Sequence, residues 1–155
     1  MIPVLTKEGA YELDKNTIES GHLSQVKLMD NAGKAIAQFF CEKIDNAFNQ
    51  KVMVVCGKGN NGGDALVLLR TLHSWGREVS AVIVGERALD DRLLHGWDIP
   101  IIMDEALGQS GWETLLGTCG VAVDGILGTG AKGAPRDRQA SAIAQLNQAS
   151  CPVLS

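Results

Sequence analysis

The 155-residue chain sets 14 Lys and Arg against 18 Asp and Glu, for a net charge of -4, and 45% of its residues are hydrophobic. That is enough chain for one domain with its own core, and the lack of a basic run argues against a nucleic-acid groove or an anionic membrane surface as partner. Eighteen glycines exceed average usage and point to tight turns or to backbone held close to a ligand.

The opening MIPVLTKEGAYELD has no basic segment leading into an apolar one, so no signal peptide is visible. No apolar run approaches the ~18 residues that span a bilayer. Thr6 is placed to cap a helix reaching about Ser20, with Ala10, Leu13 and Ile18 on one side, and Gly21 ends it. Ser24 opens a second helix, expected to reach Phe48. Its residues Leu28, Ala32, Ala35, Ile36, Phe39 and Phe40 follow the helical period.

The pattern then changes. Residues 51–56 read as a short apolar strand, 62–75 as a helix stopped by Gly76, and 78–84 as a second strand. A helix over 89–97, a strand over 99–103, a short helix over 112–116 and a strand from Val121 to Asp124 follow. The chain closes with a helix over 135–149 and the start of a fifth strand over 152–154. Strands alternate with helices and are apolar on both faces, which predicts an α/β fold: a mostly parallel sheet with helical layers on both sides. Residues 6–49 form a helical N-terminal segment and 51–155 the sheet-bearing core of one domain. The run VLS stops inside a strand-like stretch, and the natural protein is expected to continue past Ser155.

The cysteines Cys41, Cys56, Cys119 and Cys151 form no C-x-x-C pair and have no histidine at metal-ligand spacing. They read as reduced thiols of a cytoplasmic protein, with Cys56 and Cys151 as small hydrophobes in strands. His22, His73 and His95 are scattered, and Trp75, Trp97 and Trp112 read as packing residues.

Two loops hold the chemistry. The first follows the first strand: Gly57, Lys58, Gly59, Asn60, Asn61, Gly62, Gly63, Asp64. The second runs from Asp124 through Gly128, Thr129, Gly130, Ala131, Lys132, Gly133 and Ala134 to Arg136. In an open α/β sheet, ligands sit beyond the carboxyl ends of strands where strand order reverses. With strand order 3-2-1-4-5, both loops face one crevice. Gly57-x-Gly59-x-x-Gly62 matches the dinucleotide fingerprint, with Glu86 near the place of a ribose-binding acid. Against that reading, Asp64, placed in the first helical turn, would repel a pyrophosphate. Paired asparagines also supply oxygens that a dinucleotide turn does not need, and the Walker pattern fails for want of a following G-K-[ST]. Asn61 and Asp124 instead offer hard oxygen ligands to a cation. The glycine-rich second loop can wrap a phosphate in backbone N–H groups, with Lys132 or Arg136 adding charge.

Three blocks, LMDNAGKAIA (28–37), CGKGNNGGDA (56–65) and VDGILGTGAKGAPR (123–136), resemble the YjeF N-terminal domain family of NAD(P)HX epimerases. The resemblance implies a Rossmann-like three-layer αβα sandwich, usually a homodimer. It also implies an isomerase that interconverts the R and S forms of hydrated NADH or NADPH, so that an S-specific ADP- or ATP-dependent dehydratase, separate or fused, can restore the cofactor. By that resemblance Asn60, Asn61, Gly62, Gly63 and Asp64 contact substrate, Asn61 and Asp124 hold a potassium ion, and residues 128–134 form a second substrate loop. Family members carry Gly where this chain has Ala65. They also carry a V-D-I-P-S-G block, whose Asp contacts substrate and whose Ser completes the ion site; the chain stops before that block. Asp124 is the acid/base candidate for expelling and returning the ring hydroxyl, although a carboxylate on potassium tends to stay ionised. The competing readings are a non-catalytic dimerising scaffold of the same fold, as in enhancer-of-decapping proteins, and an ordinary nicotinamide oxidoreductase.

Overall fold

The computed structural model describes residues 4–44, 50–87 and 91–155. Five strands, β1 (Val52–Cys56), β2 (Val79–Ile83), β3 (Ile101–Met103), β4 (Val121–Gly125) and β5 (Val153–Leu154), form one parallel sheet in the order β3-β2-β1-β4-β5. The expected order is therefore the observed one. β1 lies between β2 and β4, with Val55 opposite Val82 on one side and Asp124 on the other. Every residue of β1 is buried, which is why it reads as an unbroken apolar run rather than an alternating one.

Helices cover both faces. On one, α3 (Asn60–Ser74) lies on the sheet and α2 (Gln25–Phe39) lies on α3, giving a core of Val54, Cys56, Leu66, Leu69, Ile83 and their neighbours. On the other, α4 (Gln109–Thr118) and α5 (Asp137–Leu146) enclose Met53, Val55, Trp112, Ala122 and Leu146. Alternate side chains of β1 thus feed two separate clusters, as strand geometry requires.

The N-terminal helices start where their caps are. Thr6 accepts a hydrogen bond from Gly9 N at 3.1 Å ahead of α1 (Lys7–Glu19), and Ser24 accepts from Lys27 N at 3.2 Å ahead of α2. Gly21, at φ +73°, breaks the chain between them. Apart from Phe40, the apolar residues expected to face inward from these helices are not buried. No residue of α1 is buried, and Leu13 and Ile18 are exposed. In α2 the inward residues are Gly33 and Ala37, followed by Phe40, while Ala32, Ala35, Ile36 and Phe39 face outward. Small residues face α3 because they let the two helices approach closely, and the larger stripe is left uncovered.

Other differences are local. α2 gives way to a π-helical turn, Phe40–Ile44, and Phe48, its expected end, lies outside the described residues. In place of a helix over 89–97 the described part is a run of turns at 92–96, held by Asp91, whose Oδ1 accepts from Leu93 N at 2.9 Å. Such a carboxylate offers the backbone an alternative to helical pairing. α4 is longer than expected, and α5 begins after Pro135 rather than at it. Cys151 lies just before β5 instead of within it. Trp112 is buried, but Trp75 and Trp97 are exposed, and Trp97 carries the Arg70 guanidinium 5.0 Å from its ring centroid. No described helix is long and apolar enough to cross a membrane.

Candidate functional site

The two glycine-rich loops leave the carboxyl ends of adjacent strands β1 and β4 and lock together there. Gly57 N donates to Gly125 O at 3.1 Å, and Asn61 Nδ2 donates to Leu127 O at 2.9 Å. The approach is close enough to require glycine. A Cβ on Gly57 would lie 2.1 Å from Ile126 O, and one on Gly62 would lie 2.0 Å from Gly57 O. With no side chain at 57 or 62, the α3 N-terminus sits directly on the β1 turn and the β4 turn sits against both.

α3 begins at Asn60, two residues earlier than the sequence pattern suggests, with Gly59 as its N-cap. Asn60 and Asn61 therefore occupy its first turn, and Asp64 sits fifth in the helix, past that turn. Asp64 is therefore not in the expected first turn, although it shares a cavity with Asn60 of that turn. Asn60 is exposed, Asn61 and Asp64 are half-buried, and Gly62 and Gly63 are buried.

Asn61 and Asp124 line one cavity of about 520 Å³, together with Asp64, Ala65, Phe39 and Leu154. Asp124 Oδ1 accepts from Ile126 N at 2.9 Å, leaving its other oxygen for a ligand. Because Asn61 spends its amide nitrogen on Leu127, its amide oxygen is the atom it can offer. One carboxylate oxygen and one amide oxygen on the same cavity are the donor chemistry of a hard alkali or alkaline-earth cation, and the residues present fit such an ion. Among the described residues no group of three His, Cys, Asp or Glu side chains gathers as a metal centre.

Asp64 also lines a second cavity of about 610 Å³, shared with Asn60 and with Tyr11, Asp14 and Lys15 of α1 and Met29 of α2. It stands between the two spaces. Burial pushes its carboxyl up to about 6, and the nearby Asp14 carboxylate adds to the rise. Such a group exchanges protons close to neutral pH.

Of the second loop, Gly128, Thr129, Gly130, Ala131, Lys132, Gly133 and Ala134 are all solvent-exposed, as is Arg136. Ala131 N donates to Gly128 O at 3.0 Å, and Gly133 adopts φ +74°. At its start the loop lies against Asn61, where a Cβ on Gly128 would lie 3.0 Å from the Asn61 Cβ.

Two residues escaped the sequence reading. Arg87, after β2, donates from Nη1 to Gly57 O at 2.8 Å and from Nε to Asp91 Oδ2 at 2.9 Å. It braces the β1 turn from the side, while neighbouring Glu86, the ribose-acid candidate, is exposed. An arginine at a strand's carboxyl end with an acid four residues on was the available signal. Asp14 had none, since only the fold of α1 brings it near Asp64.

Comparisons with known proteins agree with the fold. The family model described as "YjeF-related protein N-terminus" matches residues 25–155. The chain is 33% identical to an "NAD(P)H-hydrate epimerase" of Nitrosopumilus maritimus over 95% of its length and 69% of the relative's. It is 31% identical to a protein of the same name from Rhodopirellula baltica over 96% of its length, spanning 62% of that relative. A "Bifunctional NAD(P)H-hydrate repair enzyme Nnr" of Pyrobaculum aerophilum is 32% identical over 96% of the chain, which spans 30% of it. The crystal structure of a yeast protein, ynu0, superposes with a TM-score of 0.83 at 25% identity, covering 98% of this chain and 68% of the yeast one.

Proposed function

Because the chain belongs to the YjeF-related N-terminal family, we propose that it acts as an NAD(P)H-hydrate epimerase, interconverting the R and S forms of hydrated NADH and NADPH. The observation that carries this reading is the convergence of Asn61, Asp64 and Asp124 on one cavity at the β1–β4 crevice. Relatives bearing the epimerase name supply the substrate class.

The reaction needs little machinery. The ring nitrogen's lone pair expels the C6 hydroxyl and leaves a planar cation, and water returns to either face. A proton must reach the departing oxygen and leave the returning one. Asp64, with its carboxyl raised to about 6, exchanges a proton readily near neutral pH, so it can take the proton from the returning water and give it to the departing oxygen. Asp124 is the anionic oxygen that orients the water and faces the developing positive charge. Asn60, Gly62 and Gly63 position substrate along the α3 N-terminus. Residues 128–134, with Lys132, close over it and meet its phosphates with backbone N–H groups. Potassium, held by Asn61 Oδ1 and Asp124, would supply fixed positive charge that orients both side chains and substrate oxygens.

The partners follow from the same reading. The substrate is NAD(P)HX, and the S form passes to a dehydratase that is either separate or fused, as in the relatives named bifunctional. The same reading includes a homodimer. A scaffold role predicts that dimer without nucleotide binding.

The deciding experiment mixes R-NADHX with an S-specific dehydratase and its nucleotide, in potassium buffer, and follows recovery of NADH absorbance with and without the protein. Acceleration that is lost in Asn61→Ala and Asp124→Ala supports the epimerase. A folded protein expressed from the gene's full reading frame that gives no acceleration refutes it and favours the scaffold.

A further inference from the structure

The strongest feature outside the crevice lies at the opposite end of the sheet. Cys119 follows α4 and Cys151 precedes β5, 32 residues apart in sequence, and their Sγ atoms are 3.2 Å apart. They sit at the amino ends of neighbouring strands β4 and β5, where Ala122 pairs with Val153. Both belong to the core on the α4–α5 face, whereas Cys56 lies in the core on the other face. Cys119 is buried and its thiol also points to Leu116 O at 3.4 Å, while Cys151 is partly exposed.

We propose that Cys119 and Cys151 form a reversible oxidation site, converted by hydrogen peroxide to an intramolecular disulfide that closes β4, the glycine-rich loop and α5 into one covalent ring. The inference is independent of the epimerase reading. Cys151 is the sulfur that peroxide reaches, because it alone of the pair has appreciable solvent contact. Its thiolate attacks one peroxide oxygen, so that an S–O bond forms, the O–O bond breaks and hydroxide leaves to take up a proton. Cys119 Sγ then attacks the Cys151 sulfur. The S–S bond forms, the S–O bond breaks, and the departing hydroxyl takes the Cys119 proton and leaves as water. Two thiols and one peroxide give one disulfide and two waters; each sulfur loses one electron and the peroxide gains two.

Two features suit Cys119 to resolve rather than initiate. Burial, followed by the hydrogen bond with Cys151, pushes its thiol up to about 12, so it does not present a standing thiolate to solvent. It is also already in contact with its target, so resolution needs no chain opening. Proximity of this kind favours the disulfide over further oxidation of the exposed sulfur.

The test treats the folded 155-residue chain with a small excess of hydrogen peroxide and reads intact mass, followed by peptide mapping without reductant. The expected result is monomeric protein lighter by two hydrogens, with the 119 and 151 peptides joined and the change reversed by dithiothreitol. The oxidised form should also melt higher by roughly 5 °C or more, since the bridge closes a long loop. Cys151→Ser should abolish the mass change, and Cys119→Ala should leave Cys151 gaining oxygen instead. If either variant fails to fold, alkylation of the wild type decides: protection of both thiols together after peroxide supports the proposal. Oxygen addition at Cys151 in the wild type, a bridge through Cys41 or Cys56, or a disulfide between molecules would each overturn it.

Discussion

The contact between the β1 and β4 turns gives the most direct handle on the site. In Gly57→Ala the new Cβ would lie 2.1 Å from Ile126 O, where real contacts do not fall below 3.0 Å. The two turns must therefore part by at least about 0.9 Å, the difference between those distances. Neither partner is the tip of a flexible side chain, so the shift falls on backbone. Overpacking of this kind costs ~1–3 kcal/mol. The Gly57 N to Gly125 O bond at 3.1 Å is stretched in the process, at a further ~1 kcal/mol. Together these give ~2–4 kcal/mol, or a urea midpoint lower by roughly 1–2 M at a typical slope for this size. Unfolding can be followed by the fluorescence of the buried Trp112. Gly59→Ala is the control: its Cβ meets nothing within 4 Å and its φ is -84°, so the change stays under ~1 kcal/mol. The recovery assay should show Gly57→Ala losing most activity and Gly59→Ala keeping it. A Gly57→Ala protein with wild-type midpoint and rate would refute the claim that this contact holds the site together.

Asp64 sets a pH dependence. Its folded value of about 6 exceeds the ordinary carboxylate range, so the stability it contributes is fully present below that range and is lost as pH rises through about 6. Asp64→Asn should therefore stabilise the fold above about 6, with the gain fading in acid, and urea melts across pH will show it; the same variant should lose epimerase activity at every pH. Arg87→Ala removes the 2.8 Å bond to Gly57 O and leaves Asp91 without its partner. It should cost ~2–3 kcal/mol by urea denaturation and lower the rate, because the β1 turn loses its brace. Substituting sodium for potassium should slow the wild type and leave Asn61→Ala, whose rate is already low, unchanged; the recovery assay reads both.

Much of this was legible in the sequence because the signals were local or periodic. The β1 run VMVVC could only be a strand buried on both faces, and Thr6 and Ser24 announced their helices through cap chemistry. The strand order 3-2-1-4-5 entered as the premise that sets both glycine-rich loops on one crevice, and it is the order of the sheet. What failed was information held in space. The apolar stripe of α2 looked like a core face, yet the inward positions are Gly33 and Ala37, where size rather than hydrophobicity governs the approach to α3. The segment around 89–97 had helical composition, but Asp91 turned its own backbone into a loop. At the site, Asn61 and Asp124 were readable from residue chemistry, and Asp64's raised carboxyl was not. That rise depends on burial and on Asp14, fifty residues away in sequence.

The Asn61–Leu127 bond joins residues 66 apart, with β2 and β3 lying between them along the chain but not between them in the sheet. Neither half of the chain can therefore make the crevice alone, and a partly folded intermediate has no ligand site to offer. Any molecule bound there stabilises the complete fold and nothing short of it, by an amount set only by its concentration relative to its dissociation constant. A cell rich in the ligand would thus hold more of this chain folded, with no chaperone involved.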